Sequence, residues 1–321
     1  MNSKETAKHL LVKKVPYLNK EKKVRDAQKT LQKNNFENID YIYLKNKEEL
    51  CGVLSIKELF KNHPNTKLKN IMKTTVYTAQ PNTDQEIVAK LAMDKDIKSV
   101  PVTKNNKLIG VIPHHTILDI LHEEGIEDVL FTAGIEKFNN PAKEIIHAST
   151  LKHIKKRLPW LIVGLIGGIL AALTVTLFEN MLQVYVILAA FIPAVVYMAD
   201  AIGNQTQTIF IRSMALEKLN FARYVWREIK VNLMLAAILG TIFYGTVLLF
   251  WQDHFFGLVI GVSIFVTAMV AVLVGTGLPW LFNKIDYDPA ISTGPFSTAV
   301  IDLVSLLLYF AIATMMIQMF L

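Results

Sequence analysis

The chain has 321 residues, 52% of them hydrophobic, with a mean hydropathy of +0.34, a net charge of +7 and one cysteine. Apolar content at this level is high for a soluble globular protein, and a single cysteine excludes an intramolecular disulfide, so neither a disulfide scaffold nor dithiol redox chemistry fits. The charge is unevenly placed: residues 1–157 hold 28 of the 34 Lys and Arg and 19 of the 27 Asp and Glu, a net of +9, whereas residues 158–321 hold 6 and 8, a net of −2. A basic soluble half is therefore expected to precede a membrane half.

The N-terminus is lysine-rich and has no apolar core followed by a small-residue cleavage site, so the first half is expected to stay in the cytosol. The pattern predicts a helix over 24–31, a strand over 41–43 and a strand running into a helix over 51–60. The same order returns at 87–93, 99–103 and 109–121, with Gly52 matching Gly110. Cys51 stands at the start of a strand and reads as a small apolar residue rather than a reactive thiol. Asp119, Glu123, Glu124, Glu127 and Asp128 form the one dense acidic cluster, with Glu136 and Glu144 near it. A basic amphipathic stretch over 147–156 predicts a helix lying between the two halves.

Five apolar runs are long enough to span a bilayer: 158–178, 184–211 with a polar interruption at 203–207, 231–251, 255–282 and 296–321. Lys152, Lys155, Lys156 and Arg157 precede the first, and Arg212, Lys218, Arg223, Arg227 and Lys230 lie between the second and third. The turns around Glu179 and 252–254 carry no Lys or Arg. The positive-inside rule then predicts a cytosolic N-terminus and an extracytoplasmic C-terminus. Trp160, Trp226, Trp251 and Trp280 all lie at span ends, where an indole suits the headgroup region.

Asp302 sits deep in the last run, where a carboxylate costs about 2.5–3.5 kcal/mol on insertion scales and normally faces a bundle interior or an aqueous path. Thr298, Asp302 and Ser305 are spaced to share one helix face. The second run adds Asp200, Asn204, Gln205 and Thr206. Carboxylate, amide and hydroxyl groups, with no cysteine or interior histidine, suit a hard cation such as Mg²⁺. One acid per subunit makes a poor path, so a homodimer placing two copies of the second and fifth spans about a twofold axis is expected.

The repeated strand and helix order resembles a tandem CBS-domain pair. The family's clefts commonly carry Gly-x-x-Ser/Thr-x-x-Asp, which copy one matches as Gly52, Ser55 and Glu58 and copy two departs from at Pro113. The resemblance thus implies either an adenine nucleotide such as ATP held at Ser55 and Glu58, a bound cation, or a purely structural and dimerising repeat. Beyond it, Arg157-Leu-Pro-Trp-Leu161, Gly203-Asn-Gln-Thr-Gln-Thr-Ile-Phe-Ile-Arg212, Gly277-Leu-Pro279 and the stretch from Asp288 to Asp302 are similar to motifs of the MgtE family of magnesium transporters.

That resemblance implies a multi-domain fold, an α/β tandem CBS pair over 1–134 (copies about 1–65 and 66–134), a connecting plug-type helix over 135–157, and an all-α membrane domain of five helices over 158–321. It implies a homodimeric, CBS-gated Mg²⁺ channel or transporter with Asp302, Thr298, Asn204, Gln205 and Asp200 along the pore. Asp119, Glu123, Glu124, Glu127 and Asp128 would be a cytosolic regulatory Mg²⁺ site, against the alternative of a solvated helix face. The chain begins almost at the first CBS unit, so a short form without the family's acidic N-terminal domain, and with weaker Mg²⁺-dependent closure, is expected.

Other classes fit less well. His122-Glu-Glu-Gly-Ile126 lacks the second histidine of a zinc protease helix and lies outside the spans. No nucleophile set, phosphate-cradling loop or aromatic-interleaved nucleic-acid patch is present, so neither an enzyme nor a nucleic-acid partner is expected. The remaining alternative is a membrane-tethered nucleotide or ion sensor without transport.

Overall fold

The computed structural model describes residues 6–138, 141–216, 219–285 and 287–320, which form two compact units, 1–126 and 127–321. The first contains, in order, α1 (Ala7–Leu10), β1 (Tyr17–Asn19), α2 (Val24–Lys33), β2 (Tyr41–Asn46), β3 (Glu49–Ser55), α3 (Ile56–Lys61), α4 (Gln85–Asp94), β4 (Val100–Lys104) and β5 (Lys107–Ile112). Then α5 (His114–Thr132) follows Pro113 and runs through the boundary at 126. The second unit continues with α6 (Pro141–His147), α7 (Thr150–Leu177), α8 (Glu179–Val184), α9 (Val186–Leu216), α10 (Phe221–Trp251), α11 (His254–Lys284) and α12 (Pro295–Phe320).

The repeat is visible in register. β1 and β2 are parallel and β2 and β3 antiparallel, while β4 and β5 are antiparallel and Ala79 makes a parallel bridge to Val102. Both hairpins slip register at the same place, after Leu44 opposite Gly52 and after Val102 opposite Gly110. Each glycine admits a crossing strand: a Cβ on Gly52 would lie 3.1 Å from Lys73 O, and one on Gly110 would lie 2.8 Å from Val12 O. The arms are exchanged, since residue 12 bridges Val111 of the second copy and Lys73 bridges Val53 of the first. Ala7 accordingly packs in the second copy's core with Val88, Val100 and Ile112, so the cores exchange short arms across the division expected at residue 65. Cys51 donates its thiol to Leu44 O at 3.3 Å, and burial pushes its pKa up, which is the behaviour of a packing residue rather than a nucleophile.

Among the described residues of the second unit, five helices are long and apolar enough to cross a membrane: α7, α9, α10, α11 and α12. α11 is the central one, packed against α9, α10 and α12, while α7 packs against α12. Small residues set the crossings, for a Cβ on Gly275 would lie 2.7 Å from Gly203 O and one on Gly240 2.7 Å from Gly261 O. Side chains there would force the helices apart.

Two expectations are corrected by the helices themselves. The polar run at 203–207 interrupts the hydropathy but not the helix, because α9 is continuous from Val186 to Leu216. Each residue there keeps helical backbone; Asn204 bonds Asp200 one turn earlier on the same helix, and Gln207 bonds Ser292 across the bundle. The basic stretch expected as a separate connector is the first part of α7, which begins at Thr150 and runs on through Pro159, so the boundary expected at 157 falls inside one helix.

Candidate functional site

The start of α12 is built by a tight entry turn. Asp288 Oδ1 accepts from Ala290 N at 2.8 Å and opens a 3₁₀ turn over Pro289–Ser292; Gly294, at φ +62°, then turns the chain so that Pro295 begins the helix. A side chain at Gly294 is disfavoured twice, by that φ and by Thr132 O 2.9 Å from its Cβ position. The residues ending α5 thus lie directly on the entrance of α12. Thr298 and Asp302 follow on one face.

This face, the Asn204 side of α9 and the glycines of α7 line a partly open cavity of about 510 Å³. Asn204, Gln207 and Thr208 line it from α9, Thr293, Pro295, Thr298 and Asp302 from the α12 segment, Gly164 and Gly168 from α7, and Thr132 and Ala133 from the end of α5. Asp302 is the one charged residue among them.

Asn204 Nδ2 donates to Asp200 Oδ2 at 2.9 Å, and Thr298 adjoins the same carboxylate. Asp200 and Asp302 are within electrostatic reach of each other, and the Oδ1 atom of each is buried without a hydrogen-bond partner among the described residues. Gln207, 1% exposed, donates from Nε2 to Ser292 O at 3.2 Å. The set offers a carboxylate, two amide oxygens and several hydroxyls to the cavity, which is hard-cation chemistry.

The structure brings Asn204, Thr298 and Asp302 to the cavity and places Asp200 behind Asn204. Gln205 is exposed, about 100° around α9 from Asn204, and does not line the cavity. Ser305 is buried and donates to the Asp302 backbone carbonyl at 3.0 Å, so it serves the helix rather than the cavity. Gln207 and Thr208 were missed in the sequence. Their signal is the i, i+3, i+4 spacing from Asn204, which is informative only once α9 is read as an unbroken helix.

The five acids of the expected regulatory cluster do not converge. Among the described residues, no three His, Cys, Asp or Glu side chains come together in a way that could hold a metal ion. Asp119 and Glu123 are exposed, Glu124 accepts from Gln85 Nε2 at 2.6 Å, and Glu127 is ion-paired with Lys137. Asp128 differs: burial and the nearby Asp288 carboxylate raise its pKa, and Arg212 partly opposes them. Ser55 Oγ accepts from Glu58 N at 3.2 Å as the cap of α3, and the Glu58 carboxylate lies 3.7 Å from Lys61, so both have local partners.

A family model described as a divalent cation transporter, MgtE, matches residues 192–312, and a CBS-domain model matches 7–64 and 68–123. The chain is similar to the magnesium transporter MgtE of Bacillus subtilis (strain 168), 32% identical over 289 residues, 88% of this chain and 62% of that protein. It is also similar to the magnesium transporter MgtE of Enterococcus faecalis (strain ATCC 700802 / V583), 32% identical over 311 residues, 92% of this chain and 66% of that one. The chain thus spans just under two thirds of the length of these relatives. Among solved structures, the cytosolic domain of the Mg²⁺ channel MgtE in complex with ATP matches at 29% identity, covering 36% of this chain and 49% of that one, with a TM-score of 0.36.

Proposed function

We propose, since the chain belongs to the MgtE family and pairs a tandem CBS unit with five membrane-capable helices, that it conducts Mg²⁺ across the cell membrane through the cavity beside Asp302. The observation that carries this reading is a cavity of about 510 Å³ whose single charged side chain is a carboxylate and whose other polar groups are neutral oxygen donors. Magnesium sheds water reluctantly, so one carboxylate acting with amides and hydroxyls on a largely hydrated ion is sufficient chemistry. Asp200 acts through Asn204, holding its amide nitrogen so that the amide oxygen is left to the ion.

The working unit is a homodimer with the path between two copies of α9 and α12. Gln205 supports this, being polar and exposed within the membrane-capable length of α9 on the single chain. Lipid would leave such groups unsatisfied, whereas a second copy would bury them. The basic residues before α7 and at the α9–α10 end favour a cytosolic N-terminus and an extracytoplasmic C-terminus. Control by the CBS unit would act through the end of α5, where Thr132 and Ala133 line the cavity and Asp128 faces Asp288.

The test is Mg²⁺ flux into dye-loaded proteoliposomes for the unaltered protein and Asp302→Asn, a near-isosteric change that removes the charge. Flux lost in a variant of unchanged oligomeric state supports the reading. Equal flux in both would reduce Asp302 to a structural acid, and no flux in either would leave the sensor without transport as the better account.

A further inference from the structure

We infer that Glu228 and Tyr224 of α10, with Ser213 of α9, hold a monovalent cation at the α9–α10 junction, a site separate from the cavity beside Asp302. Tyr224, Glu228 and Asn232 follow one another at four-residue spacing, so they share one face of α10, and Ala236 and Gly240 continue that face into the bundle. The face is turned inward: Tyr224 is 7% exposed, Glu228 6% and Asn232 4%. None of the three lines the Asp302 cavity.

Glu228 is a buried carboxylate without a countercharge. No described residue forms an ion pair with it, and Arg227, its neighbour in sequence, is exposed and about 100° away around the helix. Its one side-chain partner is Asn232, whose Nδ2 donates to Glu228 O at 3.0 Å and reaches Glu228 Oε2 only at 3.5 Å, the long limit of a hydrogen bond. Asn232 therefore positions the carboxylate and leaves its charge uncompensated, which is costly in a buried place.

The Tyr224 hydroxyl is the second observation. Its ring is held against Phe210 with centroids 4.9 Å apart, and it lies within electrostatic reach of Glu228 and Ser213. The hydroxyl is nevertheless buried without a hydrogen-bond partner among the described residues. Ser213 commits its proton to Ile209 O at 2.7 Å, so its oxygen has only lone pairs to offer. The phenol thus has a carboxylate and a hydroxyl oxygen close by and bonds neither; a cation among them would satisfy all three.

One negative charge calls for one positive. A monovalent cation leaves the site neutral, whereas a divalent one would leave a surplus charge among buried residues, and Mg²⁺ would in addition keep several waters. Na⁺ and K⁺ both accept neutral oxygens as ligands. The bound ion would tie the last turns of α9 to the first turns of α10.

The experiment uses the full chain in detergent, freed of Mg²⁺, and reads the melting temperature at pH 7 in NaCl, KCl or choline chloride at equal ionic strength. Na⁺ or K⁺ at about a hundredfold over its dissociation constant is expected to raise it by about 5 °C over choline. Glu228→Gln is expected to abolish the rise, and Tyr224→Phe, which removes only the hydroxyl, to move it to about tenfold higher salt. Equal melting temperatures in the three salts would overturn the inference. So would an equal rise in the unaltered protein and Glu228→Gln, or a rise lost in Asp302→Asn, since either puts the ion elsewhere. A melting temperature that follows pH but not the cation would mean that a proton satisfies Glu228, which overturns the inference as well. Should Glu228→Gln not fold, Tyr224→Phe decides alone, and an unchanged salt dependence there sinks the site. No flux is read, so the outcome is independent of the transport reading.

Discussion

At the scale of single residues, the acids divide by what surrounds them. Asp302 has an unpartnered oxygen in a cavity, Glu127 has an ion pair, and Asp128 has burial and a second carboxylate against it with Arg212 in partial compensation. The raised pKa of Asp128 means that the folded state prefers its protonated form. Ionisation of this group therefore costs stability above its folded pKa, and the cost is relieved as pH falls toward the ordinary carboxylate range. Asp128→Asn is expected to raise the melting temperature of the detergent-solubilised protein at pH 7, with the gain shrinking by pH 4.5. A melting temperature lower than that of the unaltered protein at pH 7 would show that the Asp128 charge stabilises the fold through Arg212. Much of the site was legible at this scale, because Asp302, Thr298 and Asn204 stand out as polar groups in apolar runs. Gln205 does not share the single-chain cavity with Asn204, since proximity in a motif says nothing about the roughly 100° that separates neighbouring residues around a helix. The anchoring roles of Asp200 and Ser292 depend on which amide end meets which oxygen, and that is a three-dimensional fact.

At the scale of elements, hydropathy located all five long helices, and the internal repeat located both hairpins, because each rests on local periodicity. Less was legible where two distant segments meet. The exchange of arms between the repeats depends on Gly52 and Gly110 admitting backbone from elsewhere in the chain, and neither glycine announces its visitor. The same limit applies to α9, where the polar run at 203–207 interrupts the hydropathy although helical backbone continues beneath it. Its contact with α11 makes a direct test. The Cβ of Gly275→Ala would lie 2.7 Å from Gly203 O, against backbone that cannot swing aside. Overpacking of this kind costs about 1–3 kcal/mol, so Gly275→Ala is expected to unfold several degrees below the unaltered protein. Gly168→Ala, with no atom within 4 Å of its Cβ position, is the control and is expected to be neutral. Equal melting temperatures for the two would mean that the α9–α11 crossing yields at little cost.

At the scale of the whole molecule, the outward surface of the helical unit is not uniform. α10 presents Leu233, Met234, Ile238 and Ile242, an apolar face suited to acyl chains. α9 presents Gln205 in the C-terminal half of its length, a side chain that lipid would not satisfy. A twofold partner laid on α9 would cover the polar face, leave the apolar one to lipid, and bring two Asp302 carboxylates toward a common axis. The single native cysteine makes this accessible to cross-linking. In a Cys51→Ala background, Gln205→Cys is expected to form a covalent dimer in membranes on mild oxidation. Met234→Cys, about as far from the α9–α10 junction along α10 as Gln205 is along α9, is expected to remain monomeric. Cross-linking at 234 but not 205 would move the partner to the α10 face and detach the Asp302 cavity from any twofold axis. The path would then have to run within one chain, with Asp200 and Asp302 as its paired acids.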